Sequence, residues 1–368
     1  MDIRLLDKNF DTTFTAPEDL EWFSIKDAPF SVHGVYYCEE EGLYRRMPKD
    51  VADVTSERVS CLSKDTAGGR VRFVTDSPYI ALKVVEPYIW TFSHMAVSGE
   101  KGLTIYADKK FVGTIMPTYD QIVAGDEQFG GNGSVVFDGI KYPYGVNGNY
   151  LVEICMPLYS PINELFVGLK KGSTLIAPPA YTHKHPVLFY GSSITQGACA
   201  TKPGDDYENR LSRKLDFDYI NLGFSGGAKA EPSIIDYLVA QDPSVFVMDY
   251  DHNAPDAEYL KTTHFKLYEA FRKAHPTTPI VMMTMPNIAG KENLPFYKAR
   301  LEVIYASYQK GIDLGDKNLY IVNCYGCFGD EVAGECGTVD DCHPDSLGFL
   351  RMAERLEPVL DSILNGRK

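Results

Sequence analysis

The stretch "VLFYGSSITQGA" (residues 187–198) runs from four apolar or aromatic residues straight into a glycine and two serines. The apolar part reads as a short strand buried on both faces. Gly191-Ser192-Ser193 is then either a bare turn or a nucleophile held at the mouth of a sheet. The sequence downstream favours a sheet. "YENRLSRKL" (207–215) has helical spacing and "DYINLGF" (218–224) reads as a second strand. "EPSIIDYLVA" (231–240) is helical, "SVFVMDY" (244–250) is a strand, and "HFKLYEAFRKAH" (264–275) is a helix. "PIVMMTMP" (279–286), "PFYKARLEVIYASYQKG" (295–311) and "LYIVNC" (319–324) continue as strand, helix and strand. The closing helix, 346–365, has an apolar face of Phe349, Met352, Leu356, Val359, Leu360 and Ile363. Five β–α alternations predict an α/β region over 185–368, a five-stranded parallel sheet with helices on both faces. Ligands of such sheets sit outside the carboxyl ends of the strands, which is where the two serines fall.

Before residue 180 the rhythm differs. "RVRFVTDSPYIALKVVE" (70–86) holds two alternating runs, and "GLTIYADKKFVGTIM" (102–116) reads as a hairpin. "NYLVEICMPLYS" (149–160) and "ELFVGLKKGSTLIA" (164–177) repeat the theme, with no amphipathic helix of ten or more residues before about 180. An all-β sandwich over 1–180 is expected. The Gly-, Asp- and Asn-rich stretch 117–150 reads as a long loop. "APPAYTHKHP" (177–186) reads as a proline-stiffened linker.

A chain of 368 residues with 44% hydrophobic residues suits two globular domains rather than disorder. The formal charge of −14 argues against nucleic acid or an anionic membrane as partner and is compatible with a neutral substrate. The N-terminus "MDIRLLDKNFDTTF" lacks the pattern of a signal peptide, and no apolar run is long enough to span a membrane, so a cytoplasmic protein is expected. Eight cysteines without a leader read as thiols. Cys324, Cys327, Cys336 and Cys342 crowd together in sequence, but the second pair has Cys-x5-Cys spacing, so spare or buried thiols are a better reading than zinc.

Polar groups cluster at the strand ends. A serine needs a base to act as a nucleophile, and a histidine held by a carboxylate supplies one. Asp340, three residues before His343, is placed to hold its imidazole; Asp341 points away. The glycine amide at Gly226 and the side-chain amide of Asn253 could steady an oxyanion. Each residue also has a plain reading. Ser193 could cap a helix, Gly226 could serve a turn, Asn253 could form an Asx turn before Pro255, and His343 could sit on a surface loop. Asp249, Asp251 and His252 are expected to be solvated or structural rather than a metal site. Trp90, His94 and Tyr106 are expected to be packing residues, with substrate contact as the alternative.

"GSSITQG", "NLGFSGG", "DYDHNAP" and "TVDDCHPDSLGF" resemble, in order, the four sequence blocks of SGNH (GDSL-like) hydrolases, whose fold is flavodoxin-like. The resemblance implies Ser193 as nucleophile, His343 as base and Asp340 as its partner. It also implies the Ser193 amide, Gly226 and Asn253 as oxyanion donors. Ser192 stands where many members have aspartate, and Gly227 where many have asparagine. The first half resembles the jelly-roll-like sandwich of a two-domain branch through "SHMAVSGEKGLTIY" (93–106), with Thr104 in place of an aspartate. The implied activity is hydrolysis of small acyl esters, acetyl above all, on a small-molecule or oligosaccharide substrate. A general acyl-ester or thioester hydrolase and a non-catalytic sugar-binding protein are the alternatives. No cofactor or metal is expected, and homo-oligomerisation is left open. The "WTFSHM" segment (90–95) and the 117–150 stretch are expected to lie nearest the site.

Overall fold

The computed structural model describes residues 14–88, 91–291, 293–330 and 336–366. Residues 1–13, which carry the leader expectation, and Trp90 lie outside the described residues.

The apolar run at 187 forms the inner part of strand His183–Gly191, second in a parallel sheet. The order across this sheet is Phe217–Gly223, His183–Gly191, Val245–Asp249, Ile280–Met283, Leu319–Val322. This is the doubly wound order in which the chain reverses direction beside the first strand. Gly191 is level with Gly223 on one side and with Asp249 on the other, so three strand ends form one shelf. The helices come where the spacing placed them, at Tyr207–Leu215, Pro232–Val239, Ala257–Ala274, Pro295–Asp313 and Ser346–Asn365. Phe349, Met352, Leu356 and Leu360 of the last helix are buried. Among the described residues no helix is long and apolar enough to cross a membrane.

The first half is a sandwich of two antiparallel sheets. One orders Leu20–Ser24, Glu164–Lys170, Ile80–Pro87 and Ser134–Lys141. The other orders Leu175–Ile176, Arg70–Thr75, Tyr150–Cys155, Leu103–Ala107 and Lys110–Ile115, with Ser31–His33 on Arg70–Thr75. Alternate residues such as Val71, Phe73, Leu82, Val84, Ile105, Val152 and Val167 meet in its core. The expected hairpin at 102–116 closes through Asp108 and Lys109, both at positive φ, as a two-residue hairpin turn favours.

Two expectations need correction. The 117–150 stretch is not one loop. Thr118 and Gln121 form a capping box that starts helix Tyr119–Gly125. Ser134–Lys141 then pairs along the whole of Ile80–Pro87, burying Val135 and Phe137 on alternate positions. The glycine- and asparagine-rich flank concealed that short alternation. The stretch 177–186 is not all linker, because strand His183–Gly191 already includes its last residues. The first half also has short helices, Lys49–Thr55 and Glu57–Leu62, the second capped by Ser56.

Those helices link the two halves. Met47, Ala52, Val59 and Leu62 share a core with Leu188, Tyr190, Leu222 and Phe224. Ala67, Leu158 and Tyr159 share another with Phe189, Ile194 and Tyr207. Buried Arg46 donates to the carbonyls of Leu62, Asp65, Asn221 and Gly223, and its guanidinium lies over the Phe224 ring. Buried Arg70 pairs with Asp218, which His33 also contacts at 2.8 Å. The first half thus closes part of the core of the second.

Candidate active site

Ser193 opens a single helical turn, Ser193–Gln196, capped by the Ser192 hydroxyl, which accepts from the Ile194 amide at 3.2 Å. The turn sits so close to the shelf that side chains are excluded beneath it. A Cβ on Gly191 would lie 2.0 Å from Thr195 Oγ1, and one on Gly223 would lie 2.2 Å from the Gln196 nitrogen. The "GSS" and "NLG" glycines are therefore required by packing. Thr195 donates to the buried Asp249 carboxylate at 3.0 Å, as does Tyr207 at 3.1 Å. Gln196 donates to Asp65 of the first half at 2.8 Å and accepts from the Ser225 amide at 3.0 Å.

Ser193 Oγ lies 2.9 Å from His343 Nε2, and His343 Nδ1 lies 2.7 Å from Asp340 Oδ2. The other Asp340 oxygen accepts from the backbone amides of His343, at 2.7 Å, and Cys342, at 3.1 Å. Partial burial alone would raise the Asp340 pKa. The hydrogen bonds from the His343 amide and ring, with the His343 charge and the Cys342 amide, outweigh it and hold the carboxyl below its ordinary range. Asp341 turns to Lys291 with its backbone at φ +69°. The loop closes on itself through Val339 N–H and Thr338 Oγ1, which both donate to the His343 carbonyl, at 3.0 and 2.8 Å.

Gly226 has φ +67° in the loop tied to Gln196. The Ser225 amide goes to Gln196, and those of Gly227 and Ala228 go to the Phe224 carbonyl. Ala228 N–H also reaches Asn253 Oδ1 at 3.3 Å. Only an oxygen can accept that proton, so the Asn253 amide is oriented with its NH2 end turned away from Ala228. The structure thus brings Ser193, His343 and Asp340 into one chain of contacts and joins Asn253 to the loop that carries Gly226 through the Ala228 amide.

Asp249 and Asp251 are buried, not solvated. Burial pushes Asp249 up to about 6 against its two hydroxyl donors. Burial and Asp249 push Asp251 up to about 8 against Arg300. Burial, with His343 and Arg300 nearby, lowers His252 to about 3, so its imidazole is neutral at physiological pH. Tyr106 is a buried packing residue beneath Arg213. Cys324 and Cys327 are buried in the α/β core, while Cys336 and Cys342 are exposed.

Residues of the first half reach the site. The His94 ring centroid is 5.6 Å from that of His343, and Phe92 packs edge-on against both His94 and Tyr159. Tyr159 donates to the Ser193 carbonyl at 3.3 Å. Cys199 Sγ donates to the His94 carbonyl at 3.4 Å. Sequence reasoning placed the 90–95 segment near the site but preferred packing to substrate contact for His94, and it passed over Tyr159 and Cys199. The one available signal was a histidine inside that segment.

Two family models cover successive parts of the chain. That of the GDSL-like lipase/acylhydrolase family matches residues 184–361, and that of the N-terminus of SGNH-hydrolase-type esterases matches residues 20–175. The chain belongs to the SGNH (GDSL-like) hydrolases. Among solved structures, the hydrolase is similar to a protein from Bacteroides ovatus described as a GDSL-like lipase. The identity is 26% and the TM-score 0.79, covering 94% of this chain and 98% of that one. A salicylyl-acyltransferase from a tetracycline biosynthetic pathway is 18% identical, with TM-score 0.71, covering 96% and 100%. A family two carbohydrate esterase from Cellvibrio japonicus is 14% identical, with TM-score 0.60, covering 94% and 98%. At such identities the last two show a shared fold. No curated protein sequence matches the hydrolase at a significant level.

Proposed function

We propose that this SGNH hydrolase is a serine esterase that removes a small acyl group, acetyl, from a carbohydrate, acting through Ser193, His343 and Asp340. The observation that carries the reading is the unbroken relay of 2.9 and 2.7 Å from Ser193 Oγ through His343 to Asp340. His343 Nε2 takes the hydroxyl proton as Ser193 Oγ attacks the ester carbonyl. Asp340 holds the Nδ1–H tautomer and stabilises the imidazolium that forms. The amides of Ser193 and Gly226 and the Asn253 side chain steady the oxyanion. His343 then gives the proton to the departing sugar oxygen, which leaves as a hydroxyl while Ser193 stays acetylated. A water, deprotonated by the same imidazole, cleaves that ester and releases acetate.

The carbohydrate part of the reading is supported by the fold shared with carbohydrate esterases, among them the Cellvibrio japonicus enzyme. Division into a sandwich domain, 1–180, and a hydrolase domain, 185–368, belongs to the same proposal, with the sandwich forming one wall of the site. The test is acetate release from a panel of acetylated oligosaccharides, set beside p-nitrophenyl acetate and octanoate. Release from a subset of the sugars, with acetate preferred to octanoate, is expected. Preference for octanoate with no release from sugars would move the substrate to longer acyl esters. No turnover of any ester would refute the enzymatic reading.

A further inference from the structure

We propose that His94, Cys199 and His343 form an inhibitory site for a borderline-soft divalent cation, Zn2+ above all, which switches the hydrolase off by occupying the nitrogen its base needs. The inference rests on the reading of Ser193 and His343 as the working pair.

One ligand atom from each of the three residues lies within 4.8 Å of the other two. Among the described residues no other group of three or more histidine, cysteine and carboxylate side chains converges in this way. The donor set is two imidazoles and a thiol, which selects zinc over magnesium or calcium. Tetrahedral bonds of about 2.0–2.3 Å put neighbouring donors about 3.3–3.8 Å apart, so the three must draw in by roughly an ångström. His94 can make that adjustment, because it sits half-buried in the turn of the 91–95 segment. Two features of the site favour a metal. Cys199 has φ +68°, an uncommon conformation for a residue other than glycine, and its thiol is directed at the His94 carbonyl. Asp340 holds His343 Nδ1–H, which leaves Nε2 as the ligand atom. Carboxylate, histidine and zinc in that order is the arrangement by which proteins orient and strengthen an imidazole ligand. The contact that prepares His343 as a base for Ser193 therefore also prepares it to bind zinc.

The two uses exclude each other. When Nε2 coordinates the cation, its lone pair cannot take the Ser193 proton. Binding releases the Cys199 thiol proton to solvent, and a water fills the fourth position. The chemistry is exchange of a proton for a metal ion, with no oxidation or reduction. His94 comes from the sandwich half and Cys199 and His343 from the hydrolase half, so the cation would also bind the two halves together.

The experiment has two readouts. In the first, Co2+ is added to full-length Ser193→Ala protein, which keeps all three ligands and needs no turnover to report. A thiolate-to-cobalt charge-transfer band is expected, displaced by Zn2+, retained in Ser193→Ala/Cys342→Ala and lost in Ser193→Ala/Cys199→Ala. In the second, turnover is measured with Zn2+ and with EDTA. Reversible inhibition is expected, and Cys199→Ala and His94→Ala should each raise the half-inhibiting zinc concentration at least about 10-fold relative to their own metal-free rates. Circular dichroism checks that each variant is folded. A charge-transfer band that survives Cys199→Ala, or zinc inhibition equal in wild type and in both variants, would overturn the site. Loss of the band with Cys199→Ala in a protein that hydrolyses no ester would leave the metal site standing and overturn the esterase reading instead.

Discussion

The proposed nucleophile and its proposed base are held by opposite means. Ser193 stands on a buried shelf, with its turn pressed onto Gly191 and Gly223, anchored through Thr195 to Asp249 and through Gln196 to Asp65. Asp340 and His343 stand on an exposed loop whose hydrogen bonds are almost all its own. The contrast follows from what each group has to do in the proposed reaction. The attacking oxygen must be placed to a fraction of an ångström, and close packing of backbone on backbone does that. The imidazole must exchange a proton with two partners in turn, and a carboxylate that fixes its tautomer is enough. Long-range packing therefore sets the shelf, and three residues of local chain set the loop.

Substitutions on both sides test that division. On the shelf, Ser193→Ala should leave a folded protein with ester turnover reduced at least about 10³-fold, checked with p-nitrophenyl acetate. On the loop, Asp340→Asn should lower turnover at least about 10²-fold with only a small fall in the urea midpoint, because it disturbs the tautomer and removes one stabilised carboxylate but little packing. Asp341→Asn, whose carboxylate faces Lys291, should stay within about 3-fold of wild type, as for a surface change away from the reacting groups. Equal losses from the two aspartates would break the assignment of the orienting carboxylate.

Gly223→Ala probes the shelf without touching a reacting group. Its new methyl would meet the backbone of Thr195 and Gln196, so a stability loss of about 1–3 kcal/mol is expected in urea titration, with turnover falling as the Ser193 turn shifts. An unchanged midpoint would mean the shelf is not close-packed. A smaller effect concerns Asp65. Burial, against the opposing charge of Arg46 and the hydrogen bond from Gln196, raises this carboxyl to about 7. The folded state then binds the proton more tightly than the unfolded chain does. Asp65 therefore favours folding least above pH 7, and its contribution improves as the pH falls toward the ordinary carboxylate range. Asp65→Asn should raise the urea midpoint at pH 8 more than at pH 5. The reverse order would contradict the sign.

The legibility of the sequence follows the same division. The α/β half was readable because most of its strands hold uninterrupted apolar runs, as at 187–190 and 245–248, and its helices alternate with them in order. The contact of Asp340 with His343 was readable because the two are three residues apart, so local geometry alone can join them; Ser193, 150 residues from His343, came only with the resemblance of the four blocks. Ser134–Lys141 was missed because its alternation is short and its flank is rich in glycine and asparagine, so turn chemistry dominated the reading. Helices Lys49–Thr55 and Glu57–Leu62 are too short to show a period and are held by packing against the other half. His94 could not be assigned from sequence for a similar reason. Its place beside His343 is made by the meeting of the two halves, and nothing local to "FSHM" encodes it.

In the proposed mechanism Ser193 Oγ is the atom that takes the acyl group. Its most direct test is covalent trapping with a fluorophosphonate, followed by intact mass and peptide mapping. One adduct per chain is expected on the peptide carrying Ser193, abolished in Ser193→Ala and slowed in Asp340→Asn. An adduct on another residue, or one that persists in Ser193→Ala, would contradict it.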